Sequence, residues 1–208
     1  MHPNPIFHTE SDARNIAFAR ERGFGILAVN GTQEPMLSHI PFLIDDAGGV
    51  IDLHLVRSNP IARALKAPLP AKIAVSGPDG YISPDWYSVE DQVPTWNYVA
   101  VHLSGSLERR PQDEMRDLLD RQSAYFENQL VPKAPWKTTK MEPDVLDSMM
   151  RQIVPFRMTI AAVEGTWKLS QNKPDNARFQ AADHVEAFGV GSETTILAAL
   201  MRGADGQA

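Results

Sequence analysis

Apolar and polar residues change their spacing several times along the chain, and each change marks an element. Ile16, Phe18, Ala19 and Phe24 supply the apolar positions of a first helix. Thr9 and Asp12 resemble a capping box with Asp in place of Glu, and Gly23 is placed to end the helix. A run of strands follows. Phe24 to Val29 is short and apolar, Asn30-Gly31 signals a hairpin turn, and Pro35 to Ile44 is the return strand. Asp45 to Gly49 is a second turn, and Val50 to Val56 is a third strand. Ser58-Asn59-Pro60 opens a short helix reaching Lys66, with Ser or Asn as its cap. Ala71 to Ser76 is a fourth strand, closed by a turn at Gly77-Pro78-Asp79-Gly80.

Thr95 to Leu107 alternates residue by residue and predicts a long fifth strand. Pro111 to Leu130 has helical spacing, with Met115, Leu118, Leu119, Gln122, Tyr125 and Phe126 near one face. Residues 131–142 form a loop, Pro143 to Ile153 a helix, and Phe156 to Val163 a sixth strand ending in Glu164 to Trp167. Residues 174–202 predict one or two closing helices, broken near Gly189-Val190-Gly191. Six strands joined mostly by short turns, with few helices inserted, describe an antiparallel barrel with helical caps. The expected organisation is a single domain over 1–202 and a disordered tail over 203–208.

Composition narrows the classes. The 208 residues are 43% hydrophobic and 22% charged, enough for a core and ordinary for a globular chain. No apolar run approaches the length of a membrane span, and the N-terminus lacks the pattern of a secretion signal. There is no Cys, which removes disulfides, thiolate metal sites and a Cys nucleophile and makes the cytoplasm the default compartment. The net charge of -6 argues against a surface built for nucleic acid, so direct DNA binding is not expected. Lys133, Lys137 and Lys140 form the best basic cluster and read as a solvated loop. The six His show no HExxH-like spacing, so no metal site is expected, and without a GxSxG, P-loop or GxGxxG motif the hydrolase, NTPase and Rossmann readings lack support.

Three places concentrate candidate chemistry. After the third strand, Arg57, Ser58 and Asn59 reach the mouth of a helix. They either form an anion site or merely cap the helix beside a surface Arg. On the fifth strand, Trp96, Tyr98, Ala100, His102 and Ser104 share one face, as a pocket wall, a wet interface or a partly exposed face. Asn97 sits alone among Thr95, Val99, Val101 and Leu103 on the core face, where it must be hydrogen-bonded. Lys168 to Lys173 gathers donors at a strand end and, on its own, reads as a turn.

Taken together, several blocks resemble a known family. They are Gly80-Tyr81-Ile82-Ser83-Pro84 with Trp86-Tyr87, then Val93-Pro94-Thr95-Trp96-Asn97-Tyr98 with Val101-His102, then Lys168-Leu169-Ser170-Gln171-Asn172-Lys173. Gly25-Ile26-Leu27 through His39-Ile40-Pro41-Phe42, and His54 through Pro60, also fit. In order, and over about residues 1–200, these look like the PaiB-type FMN-binding negative transcriptional regulators. The resemblance implies a flavin-binding split β-barrel, similar to pyridoxamine-phosphate oxidases and nitroimidazole-resistance proteins. It implies a homodimer with FMN at the subunit interface. On this chain it would put Arg57, Ser58 and Asn59 near the FMN phosphate, and Trp96, Asn97 and Tyr98 along the ribityl chain and ring. Lys168, Ser170 and Gln171 would close the site, and His54 and Ser83 are further members. Two functions follow: a flavin-dependent oxidoreductase of a small molecule, or a non-catalytic regulator acting through a ligand or protein partner. A degenerate barrel with an empty site is a third. No catalytic acid or base is legible, and His102 and Tyr98 are the first to test.

Overall fold

The computed structural model describes residues 1–204. Six long strands and a two-residue one form a single sheet. They are β1 (Phe24–Asn30), β2 (Pro35–Ile44), β3 (Val50–Val56), β4 (Leu69–Ile82), β5 (Thr95–Arg109), β6 (Ile153–Lys168) and β7 (Gly191–Ser192). The strand order is β1-β2-β3-β6-β5-β4-β7, and a further β1–β4 pairing closes the six long strands into a ring. Pairings β1–β2, β1–β4, β2–β3, β3–β6 and β4–β7 are antiparallel. The helices are α1 (Asp12–Arg22), α2 (Pro60–Ala64), α3 (Met115–Glu127), α4 (Pro143–Met150), α5 (Asp175–Phe188) and α6 (Thr194–Gly203). This is the antiparallel barrel with helical caps that the spacing predicts, in the split-barrel form that the resemblance implies. Among the described residues, no helix is long and apolar enough to cross a membrane.

The chain clusters into two compact units. The first comprises Met1–Phe18, Val75–His102 and the chain from Val163 onward; the second comprises Ala19–Ala74 and Leu103–Ala162. In the first unit, the small faces of α5 and α6 (Ala177, Ala181, Ala182, Leu197, Ala198) bury against Ile82, Tyr87, Val99 and Trp167. Trp167 Nε1 donates to Asn15 Oδ1 at 2.8 Å, which satisfies the buried indole. Gly189 stops α5 in the left-handed region (φ 64°), and its N–H returns to the Val185 carbonyl.

In the second unit, alternate residues of β1, β2, β3 and β6 bury Leu27, Ile40, Phe42, Leu53, Phe156 and Met158. α3 adds Met115, Leu118 and Gln122. One charged clamp sits within it. Arg157 donates to both oxygens of Asp52, at 2.7 and 3.0 Å, and Arg121 donates to Oδ2 at 2.9 Å. Burial alone would push this carboxyl up. The hydrogen bonds from Arg157 and Arg121 outweigh burial and hold it below its ordinary value. Its folded pKa is depressed, so its stabilisation is complete above the unfolded value of about 4 and drains as pH falls through the folded one. Asp52→Asn is therefore expected to cost about 2 kcal/mol at neutral pH, the size of a charge-assisted hydrogen bond. The gap to wild type in urea midpoint should narrow as pH falls toward 3, within the range where both forms refold; an unchanged gap would remove the clamp from the acid response.

Several boundaries differ from expectation, each for a local reason. Ser11, rather than Thr9, caps α1, its Oγ accepting from Arg14 N at 3.2 Å. Asn30 pairs with Pro35, so β1 runs one residue past Val29 and Asn30 belongs to the strand rather than to the turn. α2 ends at Ala64, short of Lys66, with Asn59 as its cap. The largest difference is at Gly77-Pro78-Asp79-Gly80, which lies inside β4 and not in a turn. A Cβ on Gly77 would stand 2.6 Å from Phe18 Cζ, and one on Gly80 2.8 Å from Leu197 Cδ2. These glycines let α1 and α6 approach the strand rather than bend it. α4 stops at Met150, Ile153 already belongs to β6, and β6 continues to Lys168. Gly203 is the last residue of α6, and the rest of the expected tail, 205–208, lies outside the described residues.

Candidate flavin site

The site is built at the end of β6 in the first unit. Strand alternation turns Asn97 of β5 inward, where it is fully buried. Leaving β6, the chain turns at Ser170, whose φ of 62° is left-handed without the freedom of glycine. That turn aims Ser170 Oγ at two neighbours. Asn97 Nδ2 donates to it at 2.7 Å, and Tyr87 OH, on the short 3-10 turn Pro84–Tyr87, lies 2.7 Å away. Burial pushes the Tyr87 phenol above its ordinary value, against the opposing pull of the Ser170 bond. With Nδ2 committed, Asn97 Oδ1 is buried without a donor.

Asn97 lines a cleft of about 220 Å³. Two cations face it. Lys168 Nζ donates to Thr95 Oγ1, and Lys173 Nζ donates to Gln92 Oε1. Lys173 also lies 5.4 Å from the centre of the Tyr87 ring. Burial, and then the charge of Lys173, push Lys168 below the ordinary lysine pKa. The N-terminal segment supplies His2, Asn4 and Phe7 to the same cleft. It is held down by His8 Nδ1, 2.6 Å from the Gly165 carbonyl, and by Gln171 Nε2, which donates to the Ile6 carbonyl at 3.2 Å.

Of the expected site residues, the cleft collects Asn97, Lys168 and Ser170. Gln171 is spent on the backbone: Nε2 donates to the Trp167 carbonyl at 2.6 Å, and Oε1 accepts from Leu169 N at 2.8 Å. Ser83 precedes the 3-10 turn and makes no side-chain cap bond. Trp96 and Tyr98 alternate to the other face of β5. Trp96 is 47% exposed and meets the Tyr81 ring edge-on at 6.3 Å. The remaining four lie in the second unit. Arg57 Nε donates to the Arg151 carbonyl at 3.0 Å, and one terminal nitrogen donates to Gln112 Oε1 at 2.9 Å. Ser58 is exposed. Asn59 accepts from Ile61 N and donates to Ser38 Oγ. α2 is only five residues long, so its N-terminus is a weak source of positive potential. Burial lowers the pKa of His54, against the opposing pull of the hydrogen bond it donates to Gln122, and its Nδ1 is unpartnered.

Sequence reasoning missed Tyr87, Thr95 and Lys173 as site members, although all three stand inside the quoted blocks. It also missed His2, Asn4 and Phe7, whose place depends on contacts across most of the chain.

Comparison with known proteins points the same way. Residues 1–162 match the family model described as "Putative FMN-binding domain". The chain is 32% identical over 172 residues to the protease synthase and sporulation protein PAI 2 of Bacillus subtilis, covering 81% of this chain and 82% of that one. Among solved structures it resembles an FAD- and haem-binding protein of Mycobacterium smegmatis (TM-score 0.57, 17% identity, 89% of this chain and 82% of that one). It also resembles a flavocytochrome of Azotobacter vinelandii (TM-score 0.54, 14% identity, 76% of this chain and 68% of that one). At those identities the two structures speak for the fold alone.

The donor set of the cleft suits FMN. The flavin's pyrimidine edge offers one N–H between two carbonyl oxygens, and its tail ends in phosphate. A buried oxygen lacking a donor on a cleft that two lysines also line complements either the edge or an anionic tail beside it. The chain belongs to this FMN-binding domain family, and FMN is its cofactor.

Proposed function

We propose that this protein is an FMN-dependent oxidoreductase of a small molecule, acting as a homodimer, with its flavin held in the cleft of Asn97, Lys168 and Ser170. The carrying observation is Asn97 Oδ1, fully buried and without a donor. Such an atom costs about 1–3 kcal/mol unless a partner arrives. FMN, when bound, supplies the electron-transfer chemistry. The chain's own residues orient and tune it. Asn97 accepts the flavin imide N–H. Ser170 and Tyr87 lock the Asn97 amide so that its oxygen faces the cleft. Lys168 and Lys173 favour an electron-rich edge or phosphate. The exposed Trp96 face of β5 is assigned to a second copy, and the mass in solution tests that part.

Freshly purified protein is expected to be yellow, to bind added FMN at micromolar concentration and to bleach with a reduced nicotinamide or dithionite. Failure to take up FMN would end the reading. Lys168 gives a sharper check. Its ammonium is the binding form and titrates below the usual lysine value, so FMN affinity should begin to fall at a lower pH than an ordinary lysine would give. Lys168→Gln should weaken binding about tenfold at neutral pH and flatten that alkaline limb. A wild-type pH profile in the variant would remove Lys168 from the site.

A second reading keeps the flavin and replaces turnover by sensing. The Bacillus relative's name, a sporulation protein, favours it. The net charge of -6 directs such a role through a protein or ligand rather than through DNA. Salt-sensitive retention of promoter DNA in a gel assay would contradict that route.

A further inference from the structure

In the second unit, Leu119 of α3, Trp136 and Met141 of the loop after it, Met149 of α4 and Ile153 of β6 line an apolar groove of about 330 Å³. Val56, at 53% exposure, and Met149, at 55%, leave apolar surface open to water there. A second hollow, of about 410 Å³, shares Ser123, Trp136 and Thr138 with the groove. It carries the charge: Arg116 and Lys137 against Asp120. Asp120 is already engaged, accepting from Thr138 Oγ1 at 2.6 Å and from Arg116 Nε at 2.9 Å. Lys137 is exposed beside it. Of these two adjacent hollows, one is therefore greasy and the other net positive.

The walls are fixed in advance. Trp136 N donates to Glu127 Oε2 at 2.7 Å, and Arg116 donates to Thr138 Oγ1 at 2.8 Å. Arg57 holds the carbonyls of Arg151 and Ile153, on either side of the groove residue Gln152. None of these lining residues lines the cleft assigned to FMN.

We infer that this groove binds a small amphipathic anion, an apolar body ending in a carboxylate. The volume is that of a small-molecule site, and three methionines beside a tryptophan adapt to apolar shapes of several kinds. The carboxylate meets Lys137 and Arg116, whose charge Asp120 offsets only in part.

Decanoate is the probe, titrated into the FMN-loaded protein with isotope-labelled methionine methyls. Saturable shifts are expected at Met141, Met149 and Met150, with decylamine binding at least about tenfold more weakly. Lys137→Glu, on an exposed loop, should lower decanoate affinity about fivefold and leave the flavin spectrum unchanged. Absent shifts, equal binding of the amine, or an unaffected Lys137→Glu variant would each overturn the inference. So would a Met149→Asp variant that loses dimer mass, because the groove would then be covered by a second copy.

Discussion

Replacing Asn97 with leucine is expected to weaken FMN binding about a hundredfold while changing the stability of the flavin-free protein by no more than about 1 kcal/mol. The two effects separate because the Asn97 amide is used unevenly. Its Nδ2 contributes one bond, to Ser170 Oγ, and Ser170 keeps Tyr87 as a partner when that bond is lost. Its Oδ1 contributes nothing to the flavin-free fold and bears a desolvation cost there. Leucine removes the bond and the cost together, and the side chain faces a cleft with room to take it. In the loaded protein the same change leaves the flavin N–H facing a methyl group, which is the expensive kind of loss. Thermal melting without FMN and a fluorescence titration with FMN measure the two halves. Wild-type FMN affinity would reduce Asn97 to a structural residue. A large loss of stability without FMN would mean that the amide is already satisfied.

How far the sequence disclosed this arrangement depended on the range of the forces involved. The alternation of β5 was legible because side-chain direction in a strand has period two, and it marked Asn97 as the odd polar residue of a core face. β2 and β3 carried their own boundaries. Gly77 and Gly80 misled, because glycine serves a turn and a close approach equally well, and only Phe18 and Leu197 distinguish the two. For Arg57 the local spacing left an anion site and a surface role equally open. The carbonyls it binds, on Arg151 and Ile153, are 94 and 96 residues away, and no local spacing announces them. The N-terminal side of the cleft was invisible for that reason too: His8 meets Gly165 across 157 residues. Lys168 and Ser170 stand in a polar run that by itself reads as a turn, and only the family resemblance marked them as candidates. Tyr87, Thr95 and Lys173 were passed over because nothing in their spacing sets them apart from their neighbours.

Gly105→Ala is expected to be the most damaging single methyl group in the second unit, costing about 4 kcal/mol or more. Gly105 lies in β5, and a Cβ built there would stand 2.0 Å from the Thr159 carbonyl oxygen and 2.9 Å from its carbon. Thr159 belongs to β6, and β6 neighbours both β5 and β3 in the sheet. Its carbonyl cannot retreat without disturbing the register that pairs Thr159 with Val50. Met158 Cγ, 3.2 Å away, is buried and has no free space on that side. The cost therefore falls on backbone, where neither rotamer change nor solvent can relieve it. For a domain stable by about 5–15 kcal/mol, that loss should leave little soluble protein at 37 °C (about 310 K) or lower the urea midpoint sharply. Gly49→Ala is the control, since a Cβ there meets nothing within 4 Å. It should fall within about 0.5 kcal/mol of wild type. Comparable urea midpoints for the two variants would show that β5 and β6 can separate at Gly105, and that the close approach does not constrain the barrel.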